Sequence, residues 1–354
     1  MKNELFPLID ALAERHSLAL SEYEALIERR TEASAAYLAE KAVALRERIY
    51  GRAVFLRGLI EISNICKNDC LYCGIRRSNR SCERYRLDAE QIVACCDEGY
   101  ALGFRTFVMQ GGEDPFFTDD VVCGIIRRVK EKHPDCAVTL SLGERSRQSY
   151  QRLFDAGADR YLLRHETADS AHYRSLHPPE MSFERRMRCL YDLREIGYQT
   201  GCGFMVGSPG QTCATLAEDL KFIETFQPDM CGIGPFIPHK ATPFGDMKAG
   251  SAALTCYLLS VVRLILPWVL LPSTTALGTI EPDGREKGIL AGANVVMPNL
   301  SPAAVRRKYE LYDGKLCTGD ESAQRKESLA ARLRAIGYEL ATDRGDVRRS
   351  GRKV

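Results

Sequence analysis

Alternation along the 354 residues predicts an α/β fold, a complete (β/α)8 barrel of the TIM type with an N-terminal helical extension. Three observations carry that expectation. Short apolar, strand-like runs alternate with amphipathic helical stretches from residue 54 onward. Eight such runs occur with seven helical stretches between them, and no antiparallel hairpin signal interrupts the series. Distinctive polar clusters fall where a strand hands over to a helix, the end at which barrel enzymes keep their reactive residues. The expected divisions are a helical extension over 1–48, the barrel over 49–300, and a C-terminal helical segment with a basic tail over 301–354.

The elements follow in order. Leu5, Ile9, Leu12 and Leu18, then Ala35, Leu38 and Ala42, recur at helical spacing, predicting two or three helices packed outside the barrel. Val54 to Ile62 reads as a buried first strand, and a cysteine-rich loop follows its end. Leu87 to Leu102 is amphipathic, opened by Asp88 and closed by Gly103. The strand Arg105 to Met109 runs into Gln110-Gly111-Gly112-Glu113-Asp114. Helix Val121 to His133, strand Ala137 to Leu142, helix Ser146 to Ala156 and strand Tyr161 to Leu163 come next, the last leading into Arg164-His165-Glu166-Thr167. Helix Phe183 to Ile196 precedes strand Gly201 to Val206 and its loop to Gln211. Leu216 to Phe226, Met230 to Gly234 and the helix around Thr255 to Leu266 complete the sixth unit. Val269 to Pro272 runs into Ser273-Thr274-Thr275, and Ala293 to Met297 is the eighth strand. Tyr309 and Tyr312 stand three apart on an expected helix.

Composition narrows the function classes. With 45 % hydrophobic residues the chain can bury about three quarters of its unfolded surface. A net charge of +2 offers no overall field for nucleic acid. The apolar run Leu264 to Leu271 is broken by Pro267 and too short to span a bilayer. No basic-then-apolar region opens the chain, so reduced cysteines and a cytoplasmic placement are expected. The basic run Arg344 to Lys353 reads as a solvated tail.

The chemistry concentrates in E-I-S-N-I-C-K-N-D-C-L-Y-C-G-I-R-R, from Glu61 to Arg77. Cys66, Cys70 and Cys73 are spaced C-x3-C-x2-C, with Tyr72 before the last and Cys82 nine residues on. Three thiolates this close suit one iron–sulfur cluster, whose cubane form normally takes four. The fourth iron is then open to a small molecule. A structural zinc site would need a fourth ligand, and neither a second pair nor a nearby histidine supplies one.

This loop resembles the signature of the radical S-adenosylmethionine (SAM) enzymes, in which the SAM amino and carboxylate groups occupy the open iron. The resemblance implies one 4Fe–4S cluster held by Cys66, Cys70 and Cys73, with SAM as second cofactor. Gln110, Gly111, Gly112 and Glu113 resemble the family's "GGE" segment, whose backbone meets the SAM amino group; glycines permit that close approach. Glu166 is a candidate for the ribose hydroxyls and Arg186 for the SAM carboxylate, and Tyr72 in the cysteine loop is a further cofactor-binding candidate. Glu166 could instead pair with Arg164 or Arg160, and Arg186 could be a solvated helix charge.

Longer matches narrow the family. LYCGIRRSN, RYRL, GGEDP, TLSLGE, DRYLLRHETA, GIGPFIPH, STTALGT, ANVVMPN and YELYDGKLC are similar to the HydE maturases of FeFe-hydrogenase. The resemblance implies action alongside the maturases HydG and HydF and an electron donor. It also implies a small organometallic substrate, an iron–carbonyl–cyanide complex of cysteine. The positions matching that family's substrate cavity are Thr139, Ser141, Arg160, Thr274, Thr275, Met297, Tyr309 and Tyr312. Thr274 and Thr275 could equally be hydroxyls capping the next turn. Where some members carry a second cluster in a C-x7-C-x2-C pattern, this chain has Cys317, Arg325 and Ser328, so no second cluster is expected. The alternatives are a methylornithine synthase acting on lysine, and a non-catalytic iron–sulfur carrier or scaffold.

Overall fold

The computed structural model describes residues 4–317 and 322–349. The N-terminal extension is three helices, Phe6–Arg15, Leu20–Glu28 and Glu32–Tyr50. The third starts where the Thr31 hydroxyl accepts the Ser34 amide. Ile9, Leu12, Tyr23, Leu26 and Leu38 are fully buried. They seat the extension against helices Cys213–Phe226 and Ala252–Ile265, outside the ring of strands.

The expected first strand is present in two parts, β1 (Ala53–Leu56) and β2 (Gly58–Ser63). β3 (Thr106–Gly111), β4 (Ala137–Ser141), β5 (Arg160–Leu162) and β6 (Gln199–Cys202) follow. Two-residue strands β7 (Met205–Val206), β8 (Met230–Cys231), β9 (Gly234–Pro235) and β10 (Val295–Val296) come next. The main sheet has the order β2-β3-β4-β5-β6-β8, all parallel. The expected seventh strand survives only as single bridges, Met230 with Leu270 and Pro272 with Val295. Pro272 has no N–H to continue a ladder there. β10 pairs with β1 through Phe55 and Val295, in a separate three-stranded sheet with β11 (Glu339–Ala341).

Side chains alternate across this sheet. Phe107 and Met109 of β3, like Val138 and Leu140 of β4, join the core beneath the helices. Thr106, Val108, Gln110, Thr139 and Ser141 therefore face the interior. Outside, Ala89–Ala101 begins where expected, because Asp88 accepts the Gln91 amide at 2.8 Å while Gln91 accepts the Asp88 amide at 3.0 Å.

Three expectations need correction. Helix Ser170–Leu176 stands between β5 and Phe183–Ile196, in a stretch with too short a periodic run to reveal it. Tyr309 and Tyr312 are not helical, since the helix there is only Ala303–Arg306. From Lys308 the chain instead crosses the cysteine loop, where the Lys308 carbonyl accepts Asn64 Nδ2 at 2.6 Å and the Leu311 carbonyl accepts the Gly74 amide at 2.8 Å. The basic run from Arg344 is not a solvated tail. After helix Lys326–Ala335, β11 (Glu339–Ala341) pairs in parallel with β1, and Arg344 to Val347 packs beneath the ring. The remainder of that run, from 350 to Lys353, lies outside the described residues.

Candidate active site

The cysteine loop leaves the C-terminal end of β2, with the thiols of Cys66, Cys70 and Cys73 partly buried. Burial pushes all three thiols up, Cys73 to about 12, and each lies near enough to another for their charges to repel. Such thiols give up their protons only to a strongly positive centre. Among the described residues no three His, Cys, Asp or Glu side chains converge to hold a single ion. Three thiols spread around one loop fit the separate irons of a 4Fe–4S cluster.

Gly112 is pressed against this loop. A Cβ there would lie 2.3 Å from the Ile65 carbonyl oxygen and 2.8 Å from Cys66 Cβ. Glu113 Oε2 pairs with Lys67 at 3.0 Å, and its Oε1 accepts the Glu144 amide at 3.0 Å. Gly143 makes room for that carboxylate, since a Cβ there would meet it at 2.1–2.3 Å, and its φ of +74° suits glycine. A cavity of about 340 Å³ opens beside them, lined by Lys67, Gly112, Glu113, Leu142, Glu144 and Arg145 among others. Gln110 turns inward, donating from Nε2 to the Tyr309 hydroxyl at 3.4 Å, and Gly111 pairs with Ser63 on β2.

Glu166 lies beyond β5 with φ +67°, a strained conformation for a non-glycine residue. Its Oε2 is 3.3 Å from Arg164 Nη2, the simple pairing the sequence allowed, but the geometry is too poor for a hydrogen bond. Arg186 is buried rather than solvated. It donates from Nε to Glu144 Oε1 at 2.6 Å and from Nη1 to the Arg164 carbonyl at 2.7 Å. Tyr72 sits beside it. The Tyr72 hydroxyl donates to His177 Nε2 at 3.2 Å, because His177 Nδ1 donates to the Tyr173 carbonyl at 2.9 Å. Burial drives that imidazole down to about 3, so it stays neutral.

Within the ring, the Thr139 and Thr274 hydroxyls are buried and have no hydrogen-bond partner among the described residues. Thr274 stands at the N-cap of Thr275–Ile280, yet its side chain makes no capping bond. Ser141 is aligned with Gln110, and Met297 packs against the cluster containing Met230 and Leu270. Thr275 opens the helix and Tyr312 lies past Leu311, in the segment that crosses the cysteine loop.

Arg160 does not join this group. It is inside the ring, but its guanidinium points to the N-terminal end of the strands. There it donates to Thr106 Oγ1 at 3.0 Å, Gln199 Oε1 at 3.2 Å, the Arg344 carbonyl at 2.7 Å and Asp346 Oδ1 at 2.5 Å. With those acceptors engaged it has no reach to a ligand at the other rim, and the substrate role expected for it is withdrawn.

Two residues of the interior escaped the sequence. Glu61 of β2 is fully buried, aligned with Gln110, and accepts from Lys315 Nζ at 2.5 Å and Asn299 Nδ2 at 2.8 Å. A lone carboxylate in the apolar run Val54 to Ile62 was the available signal. Lys315 also donates to the Tyr309 carbonyl at 3.0 Å, tying the crossing segment into the mouth of the ring.

A parallel strand ring with a three-cysteine loop and a glycine–carboxylate loop at one rim defines the architecture and site of a radical SAM enzyme. The family model described as "Radical SAM superfamily" matches residues 60–223. The chain is 44 % identical to the [FeFe] hydrogenase maturase subunit HydE of Thermotoga maritima, over 86 % of this chain and 87 % of that one. It is 28 % identical to the 3-methylornithine synthase of Methanosarcina barkeri, covering 96 % and 95 % of the two chains. A solved methylornithine synthase (PylB) superposes with a TM-score of 0.82 at 27 % identity, covering 94 % of this chain and 97 % of that one. The chain belongs to the HydE family of the radical SAM superfamily. It is thus an enzyme of hydrogenase maturation rather than a passive carrier, and its cofactors are a 4Fe–4S cluster and SAM. Among the described residues no helix is long and apolar enough to cross a membrane.

Proposed function

We propose that this chain binds SAM at the open iron of a cluster held by Cys66, Cys70 and Cys73, and uses the resulting radical on a cysteine-bound iron–carbonyl–cyanide complex inside the barrel. When bound, the cluster supplies the electron that splits the SAM sulfonium into methionine and a 5′-deoxyadenosyl radical. Glu166 takes the ribose hydroxyls, and the backbone of Gly111 to Glu113 faces the SAM amino group. Arg186, held by Glu144, presents positive charge beside Tyr72 for the SAM carboxylate. Enclosure of the site by the surrounding strands would keep water and stray hydrogen donors from the radical.

The observation that carries the substrate side is the pair of unpartnered hydroxyls, Thr139 Oγ1 and Thr274 Oγ1, buried in the ring. A buried polar atom without a partner costs about 1–3 kcal/mol, so a ligand that supplies partners is favoured there. Ser141, Thr275, Met297, Tyr309 and Tyr312 complete the proposed lining. HydG would supply the complex and HydF receive the product, with a separate electron donor. The test is reconstituted protein, reductant and SAM in an FeFe-hydrogenase maturation assay. Matured hydrogenase supports the reading; SAM cleavage without maturation overturns it.

The methylornithine synthase relatives favour a second reading, a lysine mutase. Methylornithine formed from lysine by the same reduced protein would select it.

A further inference from the structure

The segment Arg84-Tyr85-Arg86 belongs to none of the groups above, yet each of its side chains reaches into one of them. Arg84 donates from Nη1 to the carbonyls of Asn64 at 2.5 Å and Ile75 at 2.8 Å, and from Nη2 to those of Arg76 at 2.6 Å and Asn79 at 3.1 Å. Those carbonyls bracket the cysteine loop, before Cys66 and after Cys73. Arg86 makes a two-pronged contact with Asp114, Nε to Oδ2 and Nη2 to Oδ1, both at 2.7 Å. Asp114 directly follows Glu113. It also accepts the Ser63 hydroxyl at 2.7 Å and the Phe116 amide at 3.0 Å, so it organises the loop after β3. Between them the Tyr85 hydroxyl donates to the Glu61 carbonyl at 2.7 Å, anchoring the segment on β2.

We propose that Arg84 and Arg86 are positioning residues that register the two halves of the cofactor site: Arg84 clasps the cysteine loop in its cluster-holding shape, and Arg86 sets the Gly111–Glu113 loop against it. The inference rests on the cofactor reading above for the identity of the two loops. A guanidinium is suited to both tasks. Its planar fork can satisfy four carbonyls or match a carboxylate two-to-two, which a lysine cannot do. Bonded to the carbonyls of Asn64 and Ile75, two residues before Cys66 and two after Cys73, Arg84 also brings its positive charge close to the cysteine loop. Positive charge there favours the more reduced, more negative state of a bound cluster.

Two variants with two readouts test this. Arg84→Gln should retain the cluster about 10–100-fold less tightly, the range for residues that orient metal ligands. It is measured as iron and sulfide per chain after anaerobic reconstitution and dilution into chelator. Whatever cluster remains should titrate at a lower midpoint potential, and Arg84→Lys should restore the potential but not the full retention. Arg86→Leu should keep the parental iron content and reduced-cluster EPR spectrum, yet bind SAM about tenfold more weakly, from loss of a charged hydrogen-bonded pair. Arg86→Lys should recover part of that affinity. Parental iron retention and potential in Arg84→Gln would overturn the clasp, and parental SAM affinity in Arg86→Leu would overturn the register. Parental protein that binds a cluster but no SAM would instead sink the cofactor reading itself. Unfolding of both neutral variants, seen by circular dichroism, together with unchanged behaviour of both lysine variants would also count against the proposal.

Discussion

The two ends of the strand ring differ in how their conspicuous polar groups are partnered. At the N-terminal end, Arg160 meets Thr106, Gln199, Arg344 and Asp346, while Arg344 pairs with Asp159 at 2.9 Å and Lys130 with the same carboxylate at 2.8 Å. At the C-terminal end, Thr274 Oγ1 and Glu166 Oε2 are buried with no hydrogen-bond partner among the described residues, as is Thr139 Oγ1 midway along β4. Paired charge in a dry interior holds elements together, whereas unsatisfied polar atoms lower stability and wait for a ligand. Barrels of this class keep stabilising contacts at the N-terminal face and reactive groups at the C-terminal face, and the contacts of Arg160 lie at the former.

The comparison can be broken at either end. The largest effect should come at the rim. Replacing Cys66, Cys70 and Cys73 together with alanine should abolish bound iron after anaerobic reconstitution; substantial iron in that variant means a second cluster site. Next comes the base. Arg160→Leu takes a fully buried guanidinium from the partly buried Asp346, which keeps Gln199 and Arg344, and should cost up to about 3 kcal/mol of stability by denaturant unfolding. SAM affinity measured in the folded fraction should stay parental. A stable variant that binds a cluster and SAM but no longer matures hydrogenase would move Arg160 back into the substrate site.

The same base predicts a pH dependence. Arg160, Gln199 and Arg344 outweigh burial and hold Asp346 far below the usual carboxylate range. A depressed carboxylate stabilises fully above its unfolded value, and the contribution is lost as pH falls from about 4 towards the folded-state value. Unfolding free energies compared at pH 6 and pH 3 should therefore fall less in Asp346→Asn than in the parent. An equal fall would put the acid sensitivity elsewhere.

At the rim the single-residue effects are smaller. Glu166→Gln should weaken SAM binding by about tenfold or more, since a hydrogen bond to a charged group contributes roughly 1.5–3 kcal/mol. An unchanged dissociation constant would leave Glu166 as the partner of Arg164 only. Thr274→Val should give the smallest change in stability, neutral or slightly positive, because it removes an unsatisfied hydroxyl. Turnover of the substrate should nonetheless fall. A variant destabilised by more than about 1 kcal/mol would mean that the hydroxyl already has a structural partner.

Much of this was legible in the residues. Contiguous chemistry reads directly, because the spacing of Cys66, Cys70 and Cys73 already confines three thiols to one short loop. Strand periodicity located seven of the eight ring positions to within a few residues as strands. Asp88 marked a helix start by local hydrogen bonding alone. What failed were inferences that depend on direction or on distant partners. Position on a strand could place Arg160 inside the ring, but not choose which end its long side chain would seek. That choice was made by Asp346, 186 residues away in sequence. The tail from Arg344 looked solvated because its charges are obvious locally, while the partly buried carboxylates that neutralise them, Asp159 and Asp346, are not.

The sequence alone determined the alternating elements and the three-cysteine loop, because each depends on spacing within a short stretch, while its long matches pointed to the family and, only through that resemblance, to the hydroxyls. Only the tertiary structure decided that Arg186 is buried against Glu144, that Glu61 and Lys315 tie the crossing segment into the mouth of the ring, and that Arg84 and Arg86 join two loops. Those pairings cross from 5 to 254 residues of chain. A charge carries no record of its partner until folding brings the two within hydrogen-bonding distance and removes the water between them.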